Sequence, residues 1–192
     1  MARTRSRERL LDVVIDAALA GGIADQSLRA IAQLSGTSHR MLIHHFGSKE
    51  ELFVEVARGV EARQRAALGA LLAGADATSE DLGRRFWEQL RSPALAPQER
   101  LFFEIYGQAL QGRQWALPLL DGIVEYWISP LADMLQKNGT SGGEARAIAR
   151  LCVAVSRGLL LDVLATGEDR EVDDAMEHFL TMLQRNFLRK TQ

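Results

Sequence analysis

Hydrophobic residues recur every three to four positions along almost the whole chain, which is the spacing of amphipathic α-helices. We find no sustained alternation of apolar and polar residues of the kind that indicates β-strands. The pattern predicts an all-α fold of about nine helices. Their expected ranges are 5–19, 27–34, 39–46, 49–72, 79–92, 97–112, 115–137, 142–166 and 171–188, with a kink at Pro130 in the seventh.

The second and third of these helices are short and lie close together in the chain. Leu28, Ile31 and Ala32 share one helical face, and Gly36 can adopt the positive φ of a tight turn. Ser38 then suits the N-cap of the third helix. Two short helices joined by a turn that contains glycine form the helix-turn-helix pattern, whose second helix enters the DNA major groove.

The third helix is followed directly by a second start signal. Ser48 and Glu51 have the spacing of a capping box, so a fourth helix should begin at Lys49. The free N–H groups of its first turn, together with the Lys49 ammonium, predict a phosphate site beside the third helix. Apolar residues continue along the fourth helix, so one continuous helix should connect the first part of the chain to the rest.

Residues 8–56 resemble the DNA-binding segment of TetR-type transcriptional repressors. The matching positions are Ile31, Ala32, Gly36, Ser38, Leu42, Phe46 and the run Ser48-Lys49-Glu50 before Leu52. Arg40 and Ile43 stand where many relatives carry Gly and Tyr, and that Tyr commonly touches a phosphate. Arg40 adds a charge that could reach a phosphate or a guanine edge. The resemblance implies a DNA-binding domain over residues 1–48 and a helical ligand-binding and dimerisation domain over residues 49–192.

Charge is distributed unevenly along the chain. Residues 1–49 carry a formal charge of +3 and the remainder carries −5, which suggests an anionic partner at one end only. The arginines of residues 2–9 form either a frayed, solvated tail or an arm that lies along DNA. The predicted DNA contacts are Arg5, Ser27, Thr37, Ser38, His39, Arg40, Ile43, His44, His45 and Lys49.

Eight of the twelve aromatic residues lie between residues 86 and 127. Such a stripe is usually ordinary core, but ligand pockets of helical proteins also form among aromatic side chains. By resemblance, TetR-type proteins place an inducer pocket in this region. The predicted ligand-binding residues are Phe86, Trp87, Phe103, Tyr106, Trp115, Tyr126 and Trp127.

The eighth helix is apolar on nearly every side and therefore needs cover on every side. We expect a second copy of the chain to provide part of that cover. The ninth helix is also apolar on one face, so helices 8 and 9 of two copies should form a four-helix homodimer interface, as the resemblance also implies. Arg157 and Asp162 interrupt helix 8; they either face solvent or pair with charges across the dimer, and a ligand contact by Arg157 is a further alternative.

Other chemistry finds little support in the sequence. His39, His44 and His45 do not have the spacing of metal ligands, and no nucleophile elbow, phosphate-binding glycine loop or catalytic carboxylate pair is present. We therefore expect no enzyme activity, no metal and no cofactor. The lone Cys152, the lack of an apolar run of about 18 residues and the lack of a signal sequence favour a cytoplasmic protein without membrane contact.

The sequence thus predicts a homodimeric regulator that binds a palindromic double-stranded DNA operator and leaves it when a small-molecule inducer binds. Repression rather than activation rests on the resemblance alone. The alternative is a helical small-molecule binding or enzymatic protein in which the helix-turn-helix is a structural element. The basic N-terminal segment, the polar third helix and the capped Lys49 together favour the regulator.

Overall fold

The computed structural model describes residues 2–21, 26–74 and 81–185, and within these ranges it is all α, as predicted. Nine α-helices and one short 3₁₀ helix, Leu117–Leu120, occur there without a strand. In chain order the α-helices are α1 (Ala2–Gly21), α2 (Leu28–Leu34), α3 (His39–Phe46), α4 (Lys49–Gly74), α5 (Asp81–Leu90), α6 (Ala96–Leu110), α7 (Glu125–Lys137), α8 (Gly142–Thr166) and α9 (Asp169–Leu183). Among the described helices, none has the length and apolar character needed to cross a membrane.

The chain forms two compact units, and each is built from two separate stretches of sequence. The first unit comprises Met1–Arg63 and Pro93–Asp121, and the second comprises Gln64–Ser92 and Gly122–Gln192. Helix α4 contributes residues to both units. The functional division predicted at residue 48 concerns DNA contact rather than compactness, and it stays a prediction.

The first unit has a core of branched aliphatic side chains. Helix α1 contacts α2 and α6, and α6 contacts the 3₁₀ helix. The first half of α4 faces this core, as its apolar spacing predicts. The largest fully buried side chains here are Val14, Ile15, Ile31, Leu42, Leu52, Val56, Leu101, Ile105 and Leu119.

The second unit is centred on the packing of α7 against α8. Small residues in α8, Ala145 and Ala149, are fully buried in this contact and allow the two helices to approach closely. At the edge, Nη1 and Nη2 of Arg146 donate to Oε1 and Oε2 of Glu125, at 3.0 and 2.9 Å. These hydrogen bonds, with one from Ser129, lower the pKa of the Glu125 carboxyl. Helix α5 is joined to α9 by the ion pair between Arg84 and Glu177.

The predicted single helix over residues 115–137 is wrong. The structure instead has the 3₁₀ helix Leu117–Leu120, a turn, and then α7 from Glu125. Gly122 lies at the break with φ of +68°, a conformation that an α-helix does not contain. The apolar residues on both sides keep helical spacing through the turn, which hid the Asp121-Gly122 turn signal. Pro130 lies inside α7, which continues to Lys137.

Several other helix ends agree with the sequence. Gly167 has φ of +73° and terminates α8, and Pro97 lies in the first turn of α6. Ser141 occupies the N-cap of α8, but its side chain makes no capping hydrogen bond. Thr78, which with Asp81 has the sequence spacing of a capping box for the fifth helix, lies outside the described residues, as do residues 186–188 of the predicted ninth helix.

Candidate nucleic-acid interface

The turn between α2 and α3 is built by local hydrogen bonds. The Ser27 hydroxyl caps α2 by accepting from the Ala30 N–H at 3.2 Å. Gly36 adopts φ of +60°, and the Thr37 N–H donates back to the Ala32 carbonyl at 2.8 Å. This geometry reverses the chain within a few residues, and it places α3 in contact with α2.

Helix α3 has a buried side and an exposed side. Leu42 and Phe46, one helical turn apart, are 1% and 5% exposed and pack into the first unit. The Ser38 hydroxyl accepts from the Met41 N–H at 3.2 Å and fixes the start of the helix. With its apolar side anchored and its first turn capped, α3 presents its remaining side chains outward.

The exposed side of α3 contains most of the predicted DNA contacts. Ser38, His39, Arg40, Ile43 and His44 are exposed and Thr37 is half-buried. Met41 is also exposed, at 40%, which the sequence reasoning missed because methionine usually belongs to the core. Exposed Met41 and Ile43 offer apolar contacts of the kind that a thymine methyl group accepts, beside the donors of Arg40 and the histidines.

His45 differs from the other two histidines of α3. Its ring is half-buried, and its Nε2 lies buried without a hydrogen-bond partner in the described part of the chain. Its backbone carbonyl accepts from Arg7 Nε at 3.2 Å. The prediction that His45 contacts DNA stays a prediction, but its ring is less accessible than those of His39 and His44.

The start of α4 carries the capping box that the sequence predicts. The Ser48 hydroxyl accepts from the Glu51 N–H at 3.0 Å, and Glu51 Oε2 accepts from the Ser48 N–H at 3.2 Å. Gly47, with φ of +80°, makes the bend from α3 into α4. The Lys49 ammonium lies 5.0 Å from the centre of the Phe53 ring, on the first turn of α4. A cation therefore lies at a helix start, where the helix dipole favours an anion.

The N-terminal segment is part of a helix, and its contact with DNA stays a prediction. Helix α1 begins at Ala2, so residues 2–9 are helical. Arg7 binds Glu55 and the His45 carbonyl within the first unit. These contacts could not be recognised from local patterns, because they join residues 38 and 48 positions apart. The side chain of Arg5, a predicted DNA contact, lies outside the described part.

The predicted ligand-binding residues are distributed over both compact units. Phe86 and Trp127 meet in the second unit with ring centres 5.7 Å apart. Trp87, also in that unit, is buried, and its indole Nε1 donates to Asp173 at 2.8 Å. Tyr126 is 54% exposed. Among the predicted ligand contacts of this unit, Phe86 and Trp127 therefore form a pair of neighbouring aromatic rings.

The other three aromatic candidates belong to the first unit. Phe103 and Tyr106 each contact Phe102 in α6, with ring centres 5.3 and 5.5 Å apart, and the Tyr106 ring is stacked on that of Phe102. Trp115 is half-buried just before the 3₁₀ helix. Phe102 was not among the predicted ligand contacts, although it is the residue that joins Phe103 and Tyr106.

Two further residues singled out in the sequence have clear surroundings. Arg157 donates to the Ile123 carbonyl at 2.8 Å and so holds the segment that leads into α7. Asp162 is exposed on α8.

Burial raises the pKa of the Cys152 thiol to about 11, so at neutral pH the sulfur is protonated and a weak nucleophile.

An anchored α2–α3 pair with a polar outer side, followed by a capped helix that carries a lysine, is the arrangement of a helix-turn-helix unit. Residues 10–56 match the family model of bacterial regulatory proteins, tetR family. No curated protein is significantly similar to the chain. The chain therefore carries the N-terminal segment of the TetR family and has the fold of TetR-family transcriptional regulators, as the sequence resemblance implied.

Solved structures support this fold along nearly the whole chain. A transcriptional regulator from Rhodococcus sp. Rha1 is 22% identical, with 95% of this chain and 98% of that chain covered and a TM-score of 0.73. A TetR transcriptional regulator from Legionella pneumophila is 20% identical, with coverages of 91% and 95% and a TM-score of 0.65. A regulator from Saccharomonospora viridis, solved in complex with choline, is 23% identical, with coverages of 95% and 97% and a TM-score of 0.69.

Proposed function

We propose that the protein is a homodimeric transcriptional regulator that represses genes from a palindromic operator and releases the operator when a small molecule binds. The observation that carries the proposal is the exposed polar side of α3 beside the capped start of α4. A helix of this kind reads base edges in the major groove, while a neighbouring helix start with a lysine binds the phosphate backbone.

The division of labour within the interface follows from chemistry. His39 and Arg40 lie on the first turn of α3, where recognition helices reach base edges. Arg40 can donate two hydrogen bonds to a guanine. Lys49 at the positive end of the α4 dipole suits a phosphate, which would fix the position of α3 without reading sequence. Ser27, Thr37 and His44 complete the proposed contact surface.

Binding to the DNA upstream of the chain's own gene tests the proposal directly. A gel-shift assay at two salt concentrations should give a sequence-selective complex that weakens as salt increases. The rival function, a helical small-molecule binding or enzymatic protein, predicts no selective complex at either concentration. Under that rival function, the proposed DNA contacts of the positively charged Arg40 and Lys49 would not exist.

The proposed dimer is supported by an exposed stripe along α8. Every residue of the stripe is accessible, and the residues repeat at intervals of three and four, the spacing of a helix-pairing seam. The small residues Ala154 and Gly158 allow the backbones of two helices to approach closely, and space is open around Gly158. The stripe, which we call the α8 seam, consists of Leu151, Ala154, Gly158, Leu161 and Ala165.

An exposed apolar residue of helix α9 supports the same dimer. Met182 is 55% exposed, and Phe179 nearby is half-buried. Leu151 and Leu161 of α8 are each about half exposed, although large aliphatic side chains are usually buried. A second copy that covers α8 and α9 would remove these apolar surfaces from water.

For the inducer we propose an apolar or amphipathic molecule that is recognised by aromatic side chains. The Phe86–Trp127 pair of the second unit and the Phe102–Phe103–Tyr106 group of the first are the aromatic surfaces that support this. The Saccharomonospora viridis regulator was solved with choline. Aromatic rings attract quaternary ammonium groups, so choline is a suitable first probe for this chain.

Substitution of Lys49 and Arg40 should separate phosphate binding from base reading. Lys49→Ala should weaken binding to all DNA alike and lower the slope of affinity against salt by about one. Arg40→Ala should weaken the free energy of operator binding by roughly 1–3 kcal/mol and relax the base preference at one position of each half-site. Both effects are measured by titrating each variant against the operator and its single-base variants at several salt concentrations.

A different behaviour of Arg40 would reassign it. If Arg40→Ala weakens all sequences equally and lowers the salt slope, Arg40 binds a phosphate. Base reading would then fall to Thr37, His39 and His44. Equal affinity of Lys49→Ala and wild type for every DNA would contradict the phosphate site at the start of α4.

Ligand and operator should oppose each other. An inducer that binds among the aromatics should quench tryptophan fluorescence and weaken operator binding in the same concentration range. By linkage, saturating operator must weaken the ligand by the same factor. Titrations of choline and of longer-chain quaternary ammonium salts, with and without operator, measure both effects; a bound probe of equal affinity in both titrations would contradict induction by that ligand.

A further inference from the structure

Arg7 makes three contacts that converge on the end of α3. Its Nε donates to the His45 carbonyl at 3.2 Å, and its Nη2 donates to Glu55 Oε2 at 2.8 Å. Its guanidinium carbon also lies 5.1 Å from the centre of the Phe46 ring. One side chain of α1 therefore touches the last turn of α3 and the second turn of α4.

The contact with the His45 carbonyl provides a donor at the end of a short helix. The last carbonyls of an α-helix have no partner within the helix. At the end of α3, the Ile43 carbonyl accepts from the Gly47 N–H, and the Phe46 carbonyl accepts from the Ser48 N–H. Arg7 supplies the donor for His45, and its positive charge lies where the helix dipole favours a cation.

Glu55 holds the Arg7 side chain in place and is itself held. Arg58 Nη1 lies 3.8 Å from Glu55 Oε1, one turn further along α4. Arg58 in turn binds the Pro118 carbonyl inside the 3₁₀ helix and, at 3.3 Å, Oδ2 of Asp121 directly after it. The carboxylate of Glu55 is thus fixed between two guanidinium groups, and it presents a fixed acceptor to Arg7.

These contacts leave Arg7 a different role from that of a DNA-binding arginine. Its planar group binds a carbonyl, a carboxylate and a ring at once, a geometry that suits arginine and not lysine. We propose that Arg7 and Glu55 are positioning residues, which fix α3 in the orientation that selects the operator sequence. The inference rests on the proposed function, since it concerns how that DNA is read.

The two possible roles of Arg7 predict opposite results for Glu55→Gln. If Glu55 positions α3 through Arg7, the variant should lower the ratio of specific to non-specific DNA affinity, by about tenfold. If Arg7 instead contacts a phosphate, loss of Glu55 frees it, and the variant should bind all DNA more tightly with an unchanged ratio. Glu8→Gln, an exposed change of equal charge in α1, gives the effect of charge alone.

Substitution of Arg7 tests the same point from the other side. Arg7→Ala should lower the affinity ratio by a similar factor and leave the salt slope for non-specific DNA unchanged. A phosphate contact would lower that slope by about one and leave the ratio intact. Arg7→Lys keeps the pairing with Glu55 but loses the planar fork, so its ratio should fall between those of Arg7→Ala and wild type.

The specific DNA for these titrations is a duplex that the wild-type protein selects from a random-sequence pool. Failure of the wild type to select any sequence would contradict the proposed function.

In that case, hydrogen exchange in the absence of DNA still tests whether Arg7 positions α3. The amides of residues 39–47 should exchange faster in Arg7→Ala than in wild type, and Arg100→Ala, exposed in α6, should not change them. Unchanged exchange in Arg7→Ala, or a wild-type affinity ratio in Arg7→Lys, would overturn the inference.

Discussion

Replacing Leu161 with Glu should turn the protein into a folded monomer that binds its operator at least about 100-fold more weakly. Leu161 is 50% exposed in the single chain, so the glutamate can remain in water and the fold should persist. In the proposed dimer the same position lies in the α8 seam, where two copies would each bring an unpaired carboxylate into an apolar contact. A monomer reaches one half-site at a time, so the gain from two linked half-sites is lost.

The adjacent position provides the control for this prediction. Leu160 is 4% exposed and packs within its own chain, so Leu160→Glu should destabilise the fold itself, by about 3 kcal/mol or more. Sedimentation, circular dichroism and operator titration of both variants distinguish the cases. A dimeric Leu161→Glu protein with wild-type affinity would show that the α8 seam is not the interface, whatever its apolar character.

Gly47→Ala should destabilise the protein by roughly 2–4 kcal/mol and weaken DNA binding at the same time. Gly47 has φ of +80° and ψ of −75°, a region that is strained for residues with a side chain. A Cβ atom there would also lie 1.9 Å from Glu51 Oε2, so the carboxylate would have to leave its capping position. The change therefore strains the bend between α3 and α4 and removes a cap from the helix start that carries Lys49.

Gly36→Ala is the matched comparison for Gly47→Ala. Gly36 also has a positive φ, of +60°, but a Cβ atom there would meet nothing within 4 Å. This variant should destabilise the fold only through the strain of a side chain at positive φ, by about 1 kcal/mol. Urea unfolding of the two variants measures the difference. Equal destabilisation would mean that Glu51 moves aside without cost and that the capping box contributes little.

Local signals in the sequence were enough to predict the α2–α3 pair and the start of α4. Ser38 and Ser48 each cap the helix that follows, and their hydrogen bonds join residues three positions apart. Gly36 has the positive φ that its place in the turn required. Interactions of this range are determined by neighbouring residues, so they can be recognised without a tertiary structure.

Features that depend on distant residues were not predictable in the same way. The role of Arg7 depends on the placement of Glu55, which is 48 positions away. The aromatic residues between 86 and 127 looked like one group in the sequence, yet Tyr106 and Trp127 belong to different compact units. The break at Gly122 was missed because the helical spacing of its apolar neighbours outweighed one turn residue.

The order of the segments along the chain affects how the protein can be made and recombined. The first compact unit needs Pro93–Asp121 as well as the N-terminal 63 residues, and α1 contacts α6 within it. A growing chain on the ribosome therefore cannot complete this unit until α6 and the 3₁₀ helix have emerged. For the same reason, a chimera that exchanges only the N-terminal segment for that of another regulator would place a foreign α1 against the original α6, so α6 and the 3₁₀ helix should be transplanted with it.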